Sequence, residues 1–390
     1  MGSFEHIREE LRSRFGESKR ILSFDDYLRV LEAEPTRHLR DAARYLADAI
    51  SFFGVEERET WRGKQRRYRI FDAGVYKGSH PSRTRNDQLF GHEAPAEAVV
   101  RAIESFLREG RVNRLILLHG PNGSAKSTLV ACLMRGLEIY SESEEGALYR
   151  FSWIFPREGS GKEIGFGGRN DYRAAGDSYA YLPNERVQAR IVPPMRDHPL
   201  LLIPKQERQR FLERFGSLDH MPALLVEGEL CHQNQQIFEA LESAYQGDLR
   251  RVLAHVRVER EYFSRRYRRG LVTIGPEMSV DAHERQITAD QSLMKLPAAL
   301  SSLNLIEAGG DLVDGRGGLI EYSDLLKRPL EAFRYLLAAI ESGEVSLRST
   351  QLSLDSVLIA SSNEVHLDAF KQHPEFLSFE GRLILIDMPY

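Results

Sequence analysis

Residues 115–128, LILLHGPNGSAKST, are the stretch of this 390-residue chain that decides its fold. An apolar run of the kind that forms a buried strand leads into a glycine-rich turn, and the turn closes on Lys126. In such a turn the backbone N–H groups point inward at a phosphate, and the following helix presents its positive end to the same anion. The pattern therefore predicts a strand, a phosphate-binding loop and a helix that begins at Ser127.

Two side chains of this loop have predicted roles. Lys126 is expected to reach the β- and γ-phosphates of a nucleotide, and the Ser127 hydroxyl is expected to bind Mg²⁺. The sequence departs from Gly-x4-Gly-Lys-[Ser/Thr] at Ala125, where the second glycine is expected, so a Gly-rich loop before an ordinary helix is the alternative. The apolar strand before the turn, the apolar helix positions after it, and Pro121 and Gly123 within it favour phosphate binding. The predicted nucleotide-binding residues here are Gly120, Pro121, Asn122, Gly123, Ser124, Ala125, Lys126, Ser127 and Thr128.

Composition restricts the class of protein. The formal net charge is −4, so no overall basic charge attracts the chain to nucleic acid or to an anionic membrane. The cysteines Cys132 and Cys231 suit a reducing compartment and offer no disulfide framework. Residues 1–20 lack the apolar core of a signal peptide, and no apolar run approaches the roughly 20 residues of a membrane helix. We expect a cytoplasmic protein without a membrane partner.

Periodicity and shifts in composition divide the chain into units. Helices are predicted over residues 4–15, from Ser23 onward and over 36–53, and their apolar stripe is expected to pack on the next domain. Residues 147–153 alternate as a strand, and the long stretch after them reads as an insertion with structure of its own. The predicted units are a helical N-terminal unit (1–55), a linker (56–88), the first part of the core (89–154), the insertion (155–300) and the second part of the core (301–390).

Three local patterns suggest other chemistry. Arginines interleave with aromatic residues at 61–69 and 262–269, as in a groove for nucleic acid, although solvated surface segments explain both clusters better. Cys231 and His232 suggest zinc, but no second Cys or His pair stands at ligand spacing. We therefore expect neither a nucleic-acid partner nor structural zinc.

A second group of candidate site residues follows two predicted strands. The strand at 319–320 leads into Glu321, with Asp324 three residues later, and the strand at 357–360 runs to Asn363. ATP hydrolysis requires an acid in the Mg²⁺ shell, a carboxylate that orients water and a polar group near the γ-phosphate. Doubly wound sheets build their sites at the carboxyl ends of the strands. We assign these three residues to catalysis and Asp324 also to the metal; ordinary strand-end turn residues are the alternative.

Arg382 stands just before a predicted strand at 383–386. In a ring ATPase an arginine at this position points into the nucleotide site of the neighbouring subunit, where it contributes roughly 10³–10⁵ in rate. A surface charge at the end of a helix is the alternative. This interpretation predicts a homo-oligomer, with a ring of hexamer type as one possibility.

The segments GRGGLIEYSDLLKRPLEAFRYLLAAIESGEV (315–345) and VLIASSNE (357–364) resemble the AAA domain of the PrkA family, bacterial proteins described as serine protein kinases. FGHEAPAEAVV (90–100) and RLILIDMPY (382–390) are similar as well. The resemblance implies an α/β P-loop NTPase of AAA+ type, a parallel sheet between helices, with ATP and Mg²⁺ as cofactors. It implies that Gly120–Thr128 is the Walker A loop, Glu321 and Asp324 the Walker B region, Asn363 the first sensor, Arg382 the finger, and Gly91 and His92 the adenine-binding turn.

The same resemblance leaves the activity open. Family members continue into a helical lid and a kinase-like region, so we expect the lid to lie beyond Tyr390. The sequence shows no protein-kinase catalytic loop and no Gly-x-Ser-x-Gly or His-Glu-x-x-His protease motif. We favour an ATPase module that hydrolyses Mg-ATP between subunits and acts on a protein partner, with kinase activity implied by resemblance only. The alternatives are a nucleotide-gated oligomeric scaffold, an ATP-dependent protease component and a nucleic-acid motor.

Overall fold

The computed structural model describes residues 21–60, 63–72, 88–157, 178–286 and 305–390, so the helix predicted over residues 4–15 lies outside it. The α-helices of the described residues are α1 (Phe24–Ala33), α2 (Pro35–His38), α3 (Ala42–Phe53), α4 (Glu93–Glu109), α5 (Lys126–Glu142), α6 (Lys205–Glu213), α7 (Ala223–Glu227), α8 (His232–Ala244), α9 (Leu249–Leu253), α10 (Asp311–Asp314), α11 (Tyr335–Ser342), α12 (Glu364–Lys371) and α13 (Phe376–Glu380). The strands are β1 (Ile21–Leu22), β2 (Val55–Thr60), β3 (Gly63–Tyr68), β4 (Leu115–His119), β5 (Leu148–Pro156), β6 (Val187–Ile191), β7 (Val256–Glu261), β8 (Leu271–Ile274), β9 (His283–Gln286), β10 (Ile306–Gly309), β11 (Leu319–Tyr322), β12 (Glu344–Ser346), β13 (Gln351–Ser353), β14 (Val357–Ser362) and β15 (Leu383–Asp387).

A parallel sheet is the centre of the fold. Its strand order is β15-β4-β14-β11-β8, and every neighbouring pair runs parallel. The apolar run that opens the quoted stretch becomes β4, and its residues from Leu115 to Leu118 are all buried. Because strands covered on both faces are apolar throughout, β4 and β14 show no alternation. The sheet confirms the predicted α/β fold of a P-loop NTPase.

Apolar cores cover both faces of this sheet. Ile116 and Leu118 face a core shared with α3, α4 and α5, whereas Leu115 and Leu117 face a core shared with α10, α11, α12 and α13. Burying each such side chain contributes about 1.5–3 kcal/mol. The central strand is therefore fixed from both sides, which holds the loop that follows it in place.

A second, antiparallel sheet has the order β1-β7-β5-β6. Phe151, Trp153 and Phe155 of β5 point to one face of it, and α1 contributes Phe24 and Leu31 to the same core. The alternating strand predicted within the nucleotide-binding core is this β5, so that placement is wrong. Conversely, β8 lies in the residues predicted as the insertion but forms an edge of the parallel sheet. Alternation predicts a half-buried strand without indicating which sheet it joins.

The helix predicted over residues 36–53 is interrupted. It splits into α2 and α3 because the Asp41 carboxylate accepts a hydrogen bond from Arg44 N at 2.8 Å and caps a new helix. Leu46 and Ile50 of α3 pack into the core that also contains α4 and α5. The prediction that the N-terminal unit packs on the next domain is confirmed for this helix.

Two further segments differ from the sequence prediction. Part of the predicted linker is the hairpin β2–β3, in which Val55 pairs with Tyr68. A proline before an apolar run typical of a helix predicts that the helix opens there, whereas Pro329 precedes a 3-10 turn and α11 begins only at Tyr335. None of the described helices is long and apolar enough to cross a membrane.

Candidate active site

The loop after β4 adopts the left-handed conformations that a phosphate loop requires. Gly120 has φ +150° and Gly123 has φ +90°, and a Cβ on Gly120 would lie 2.2 Å from the carbonyl oxygen of Met388. Ala125, at the position of the expected second glycine, has φ +61° and precedes the first residue of α5. A left-handed residue with a Cβ costs roughly 1–2 kcal/mol. The loop therefore keeps its conformation at this position against a steric penalty.

Lys126 is the first residue of α5, and its ammonium group lies inside the loop. It donates to the carbonyl oxygens of Gly120 and Pro121, both at 2.7 Å, and to Ser124 Oγ at 3.2 Å. Burial lowers the pKa of Lys126, and the carboxylates of Asp324 and Glu364 oppose that shift. A phosphate oxygen could replace the loop carbonyls as the acceptor, since the ammonium group already sits where the helix dipole favours an anion.

The predicted carboxylates occupy different environments at the end of β11. Glu321 is buried, and its carboxylate accepts a hydrogen bond of 2.7 Å from Thr273 Oγ1 on β8. Burial raises the pKa of Glu321, whereas the bond from Thr273 and the charge of Arg265 oppose the rise. Asp324 follows in a left-handed turn, φ +49°, and its backbone N–H donates to Ser361 Oγ at 3.1 Å.

Asp324 is the acid of the two that acts on the loop. The negative charge of Asp324 raises the pKa of Lys126 and so opposes the effect of burial. The carboxylate of Asp324 also forms an ion pair with Lys327 at 2.7 Å. Ser127, the other predicted metal ligand, is exposed in the first turn of α5. A hydroxyl and an accessible carboxylate are oxygen donors of the type that Mg²⁺ prefers.

Asn363 and Arg382 lie at opposite edges of the sheet. Asn363 follows β14, and its side-chain oxygen caps α12 by accepting from His366 N at 3.0 Å. Arg382 precedes β15 and donates to Ser378 O at 2.6 Å and to Glu341 Oε2 at 2.7 Å. Because β15 runs parallel to β4, Arg382 lies about 15 Å from the loop edge, at roughly 3.3 Å per residue. The structure does not bring Arg382 to the loop of its own chain.

The predicted adenine-binding turn stands at the start of α4. Gly91 has φ +73°, and His92 is 8% exposed and occupies the N-cap position. The Nδ1 atom of His92 is buried and has no hydrogen-bond partner among the described residues. A cleft beside it is lined by Tyr68 and Phe71 from the hairpin end and by Leu89. The turn thus presents one unsatisfied polar atom to a partly apolar cleft.

Sequence reasoning missed several residues that touch the site. Thr273 was not identified because β8 was not recognised as a strand of this sheet. The end of the chain was also missed, although Met388 N donates to His119 O at 2.7 Å and the Tyr390 hydroxyl donates to Asn122 O at 3.0 Å. The predicted strand β15 was a signal for the contacts of Met388 and Tyr390, because β15 pairs in parallel with β4 and the residues after it therefore lie beside the loop.

Comparisons with known proteins identify the family of this chain. The family model of the PrkA AAA domain matches residues 182–390, more than half of the chain, and this range contains Glu321, Asp324, Asn363 and Arg382 but begins after the phosphate loop. A protein of Bacillus subtilis (strain 168) named ATP-dependent protease PrkA is 24% identical over 371 residues, which are 94% of this chain and 48% of that protein. The chain thus spans about half the length of that relative. An AAA domain implies nucleotide binding and suggests an activity of ATPase type. On the extent of the family match, the chain belongs to the PrkA family.

Proposed function

We propose that this chain is the ATPase module of a PrkA-family protein, which hydrolyses Mg-ATP at a subunit interface to act on a protein partner. The observation that carries the proposal is the phosphate loop itself. Its left-handed positions are formed, its lysine is buried at the start of α5, and Asp324 acts on that lysine from the next strand but one. Backbone N–H groups, the helix dipole and Lys126 would together hold the β- and γ-phosphates.

The residues at this edge fit a magnesium-dependent reaction. We propose that the Ser127 hydroxyl and the Asp324 carboxylate hold Mg²⁺, which supplies neutralisation of the phosphate charge when bound. Glu321 is proposed to orient the attacking water and accept its proton, because burial raises its pKa toward the working range of a general base. In that role its carboxylate would accept a hydrogen bond from water beside the one that Thr273 donates to Oε2. Asn363 is proposed to sense the γ-phosphate from the same edge.

Arg382 supports the proposed subunit interface. Its distance from the loop of its own chain is compatible with a role in the nucleotide site of a neighbouring copy. We therefore propose a homo-oligomer in which Arg382 completes the site of the adjacent subunit, as a ring of hexamer type would allow.

Other assignments have weaker support. The name of the Bacillus subtilis relative favours an ATP-dependent protease component as the second candidate, and the kinase activity implied by resemblance has no supporting motif in the sequence. A nucleic-acid partner is disfavoured because arginines of both basic clusters pair within the chain, Arg67 with Asp72 and Arg268 with Asp311. Cytoplasmic localisation stays a proposal, supported by Cys132 and Cys231, which form no disulfide bond in the part of the chain that the structure describes.

The decisive experiment replaces the loop lysine. Lys126→Ala is expected to abolish ATP turnover, because it removes the ammonium group that the γ-phosphate requires, while the melting temperature stays near that of the wild type. Lys205→Ala is the matched control, since Lys205 on α6 forms an exposed ion pair with Glu227 on α7, and this variant should leave turnover unchanged. Undiminished turnover by the Lys126 variant would contradict the proposal. Nucleotide binding by the wild type without turnover would instead favour the scaffold.

A further inference from the structure

Three metal-ligating side chains converge at the carboxyl edge of the sheet, apart from the residues assigned above. His119 ends β4, Asp387 ends β15, and Glu364 follows β14 as the first residue of α12. These strands are neighbours in the order β15-β4-β14, and His119 is the register partner of both Asp387 and Ser362. The topology therefore places one imidazole between two carboxylates.

The distances between these groups suit a shared ion better than direct hydrogen bonds. His119 Nδ1 lies 3.9 Å from Glu364 Oε1 and 3.9 Å from Asp387 Oδ1. One donor atom from each of the three residues lies within 4.8 Å of the others. Hydrogen bonds would need about 3 Å, whereas two donors bound to one ion at about 2.0–2.2 Å are roughly 3–3.6 Å apart. The side chains of Glu364 and Asp387 are 55% and 61% exposed, so small rotations could close the remaining gap.

His119 is the least exposed member of the cluster. Its side chain is only 17% exposed, and its Nδ1 atom is buried without a hydrogen-bond partner in the described part of the chain. Buried polar atoms are nearly always satisfied, so an orphan nitrogen that faces two carboxylates indicates a ligand between them. A nitrogen donor also distinguishes this cluster from a purely acidic surface.

We propose that His119, Glu364 and Asp387 bind a divalent transition-metal ion beside the phosphate loop, at a site separate from the proposed Mg²⁺ position. One imidazole with two carboxylates suits Zn²⁺ or Mn²⁺, whereas Mg²⁺ prefers oxygen ligands. His119 directly precedes Gly120, and Met388 N donates to His119 O. The ion would thus clamp the end of β15 to the start of the loop. Metal binding at this site does not require nucleotide, so it can be tested independently of the proposed ATPase activity.

The test measures metal binding by the chelator-treated full chain in the absence of nucleotide. Zn²⁺ is titrated against a chromophoric chelator, and Mn²⁺ is followed by electron paramagnetic resonance. We expect one site per chain in the wild type that His119→Asn and Asp387→Asn each weaken at least 10-fold. Glu364→Gln tests the same prediction at an exposed position, where misfolding would not explain a loss of metal binding. Circular dichroism checks that all variants are folded.

Two control variants separate this site from its neighbours. Asp281→Asn changes an exposed pair in which His283 Nδ1 lies 2.9 Å from Asp281 Oδ1, and Asp324→Asn changes the proposed Mg²⁺ ligand. Both are expected to bind Zn²⁺ as the wild type does. Equal Zn²⁺ binding by the wild type and the His119 variant would overturn the proposal. Loss of Zn²⁺ binding in the Asp324 variant, with Zn²⁺ binding retained in the His119, Glu364 and Asp387 variants, would overturn it as well.

Discussion

Ala125 is the residue at which the phosphate loop departs from the usual sequence motif while keeping its conformation. Its φ of +61° is the conformation that the missing glycine would adopt without strain. Ala125→Gly is therefore expected to raise the free energy of unfolding by about 0.5–1 kcal/mol, since relief of the left-handed penalty outweighs the added freedom of the unfolded chain. Urea titration provides the measurement, and ATP turnover should be retained.

The matched control for that substitution is Ala338→Gly. Ala338 is exposed within α11, where glycine is expected to lower the free energy of unfolding by about 1 kcal/mol. A loss of stability in both variants would show that Ala125 is not strained in solution.

Asp41 should make stability depend on pH. It caps α3, while Asp355 Oδ1 accepts from Ala42 N at 3.0 Å, so two carboxylates share one partly buried junction. Burial, and then the charge of Asp355, raise the pKa of Asp41 from 3.8 to about 7, against the opposing effects of Arg44. Because the folded-state pKa is the higher one, this contribution to stability is complete below about pH 3.8 and is lost as the pH rises through about 7.

Asp41→Asn tests this interpretation, since asparagine caps a helix equally well without the charge. The wild type is expected to lose stability relative to the variant between pH 5 and pH 8, by an amount on the order of 1–3 kcal/mol. Chemical denaturation across that range provides the measurement. Asp248→Asn replaces a similar but exposed cap on α9 and should show no such trend. A parallel pH profile for wild type and Asp41→Asn would exclude this junction as the cause.

At the scale of elements, the length of β15 separates two proposed sites. Arg382 directly precedes this strand and Asp387 ends it, so the two residues lie at opposite edges of the sheet. Arg382→Ala is expected to lower ATP turnover about 10³-fold or more in the assembled protein and to leave the monomer unaffected. Turnover should be measured over a range of protein concentrations, with the oligomeric state followed by sedimentation.

Stability is not expected to explain that loss. The pair of Arg382 with Glu341 is exposed and contributes at most about 1 kcal/mol. Arg334→Ala breaks a similar exposed pair, with Glu375, and serves as the control. If turnover falls equally at protein concentrations that favour monomer and oligomer, Arg382 is not a finger.

Elements whose pattern lies within a few adjacent residues could be predicted from the sequence, whereas pairings between distant segments could not. The strands and loop around Lys126, Asp324 and Asn363 were predicted because buried parallel strands are continuous apolar runs with polar residues at their ends. The pairing of β8 with β11 could not be predicted, because a four-residue strand after a basic segment carries no periodic signal. The hydrogen bond from Thr273 to Glu321 could not be predicted for the same reason. The sequence analysis also did not predict the cap at Asp41, which divides the predicted helix.

On the scale of the whole molecule, a buried ion pair joins the antiparallel unit to the parallel sheet. Arg316 lies 3.0 Å from Asp197, and the two side chains are 5% and 0% exposed. Asp197 also accepts from Cys231 N at 2.8 Å and from Asn234 Nδ2 at 2.7 Å, while Arg316 donates to the carbonyl oxygen of Ser353 at 3.0 Å. No sequence pattern indicates this pair, because its members stand 119 positions apart.

Asp197→Ala is expected to lower the free energy of unfolding by about 3–5 kcal/mol, because it leaves the Arg316 guanidinium buried without a counter-charge. Replacing Arg316 by methionine in the same variant should restore part of that loss, since the uncompensated charge is then removed as well. Glu227→Ala, which breaks an exposed pair with Lys205, should cost at most about 1 kcal/mol.

The shape of the urea transition then distinguishes two arrangements of the molecule. If the ion pair couples the antiparallel unit to the nucleotide-binding sheet, Trp153 fluorescence and ATP binding should be lost together in the wild type and separately in Asp197→Ala. Trp153 reports on the antiparallel unit, since it is buried there and donates to Asn234 Oδ1 at 2.8 Å. Coincident transitions in the variant would show that contacts other than this ion pair hold the two sheets together.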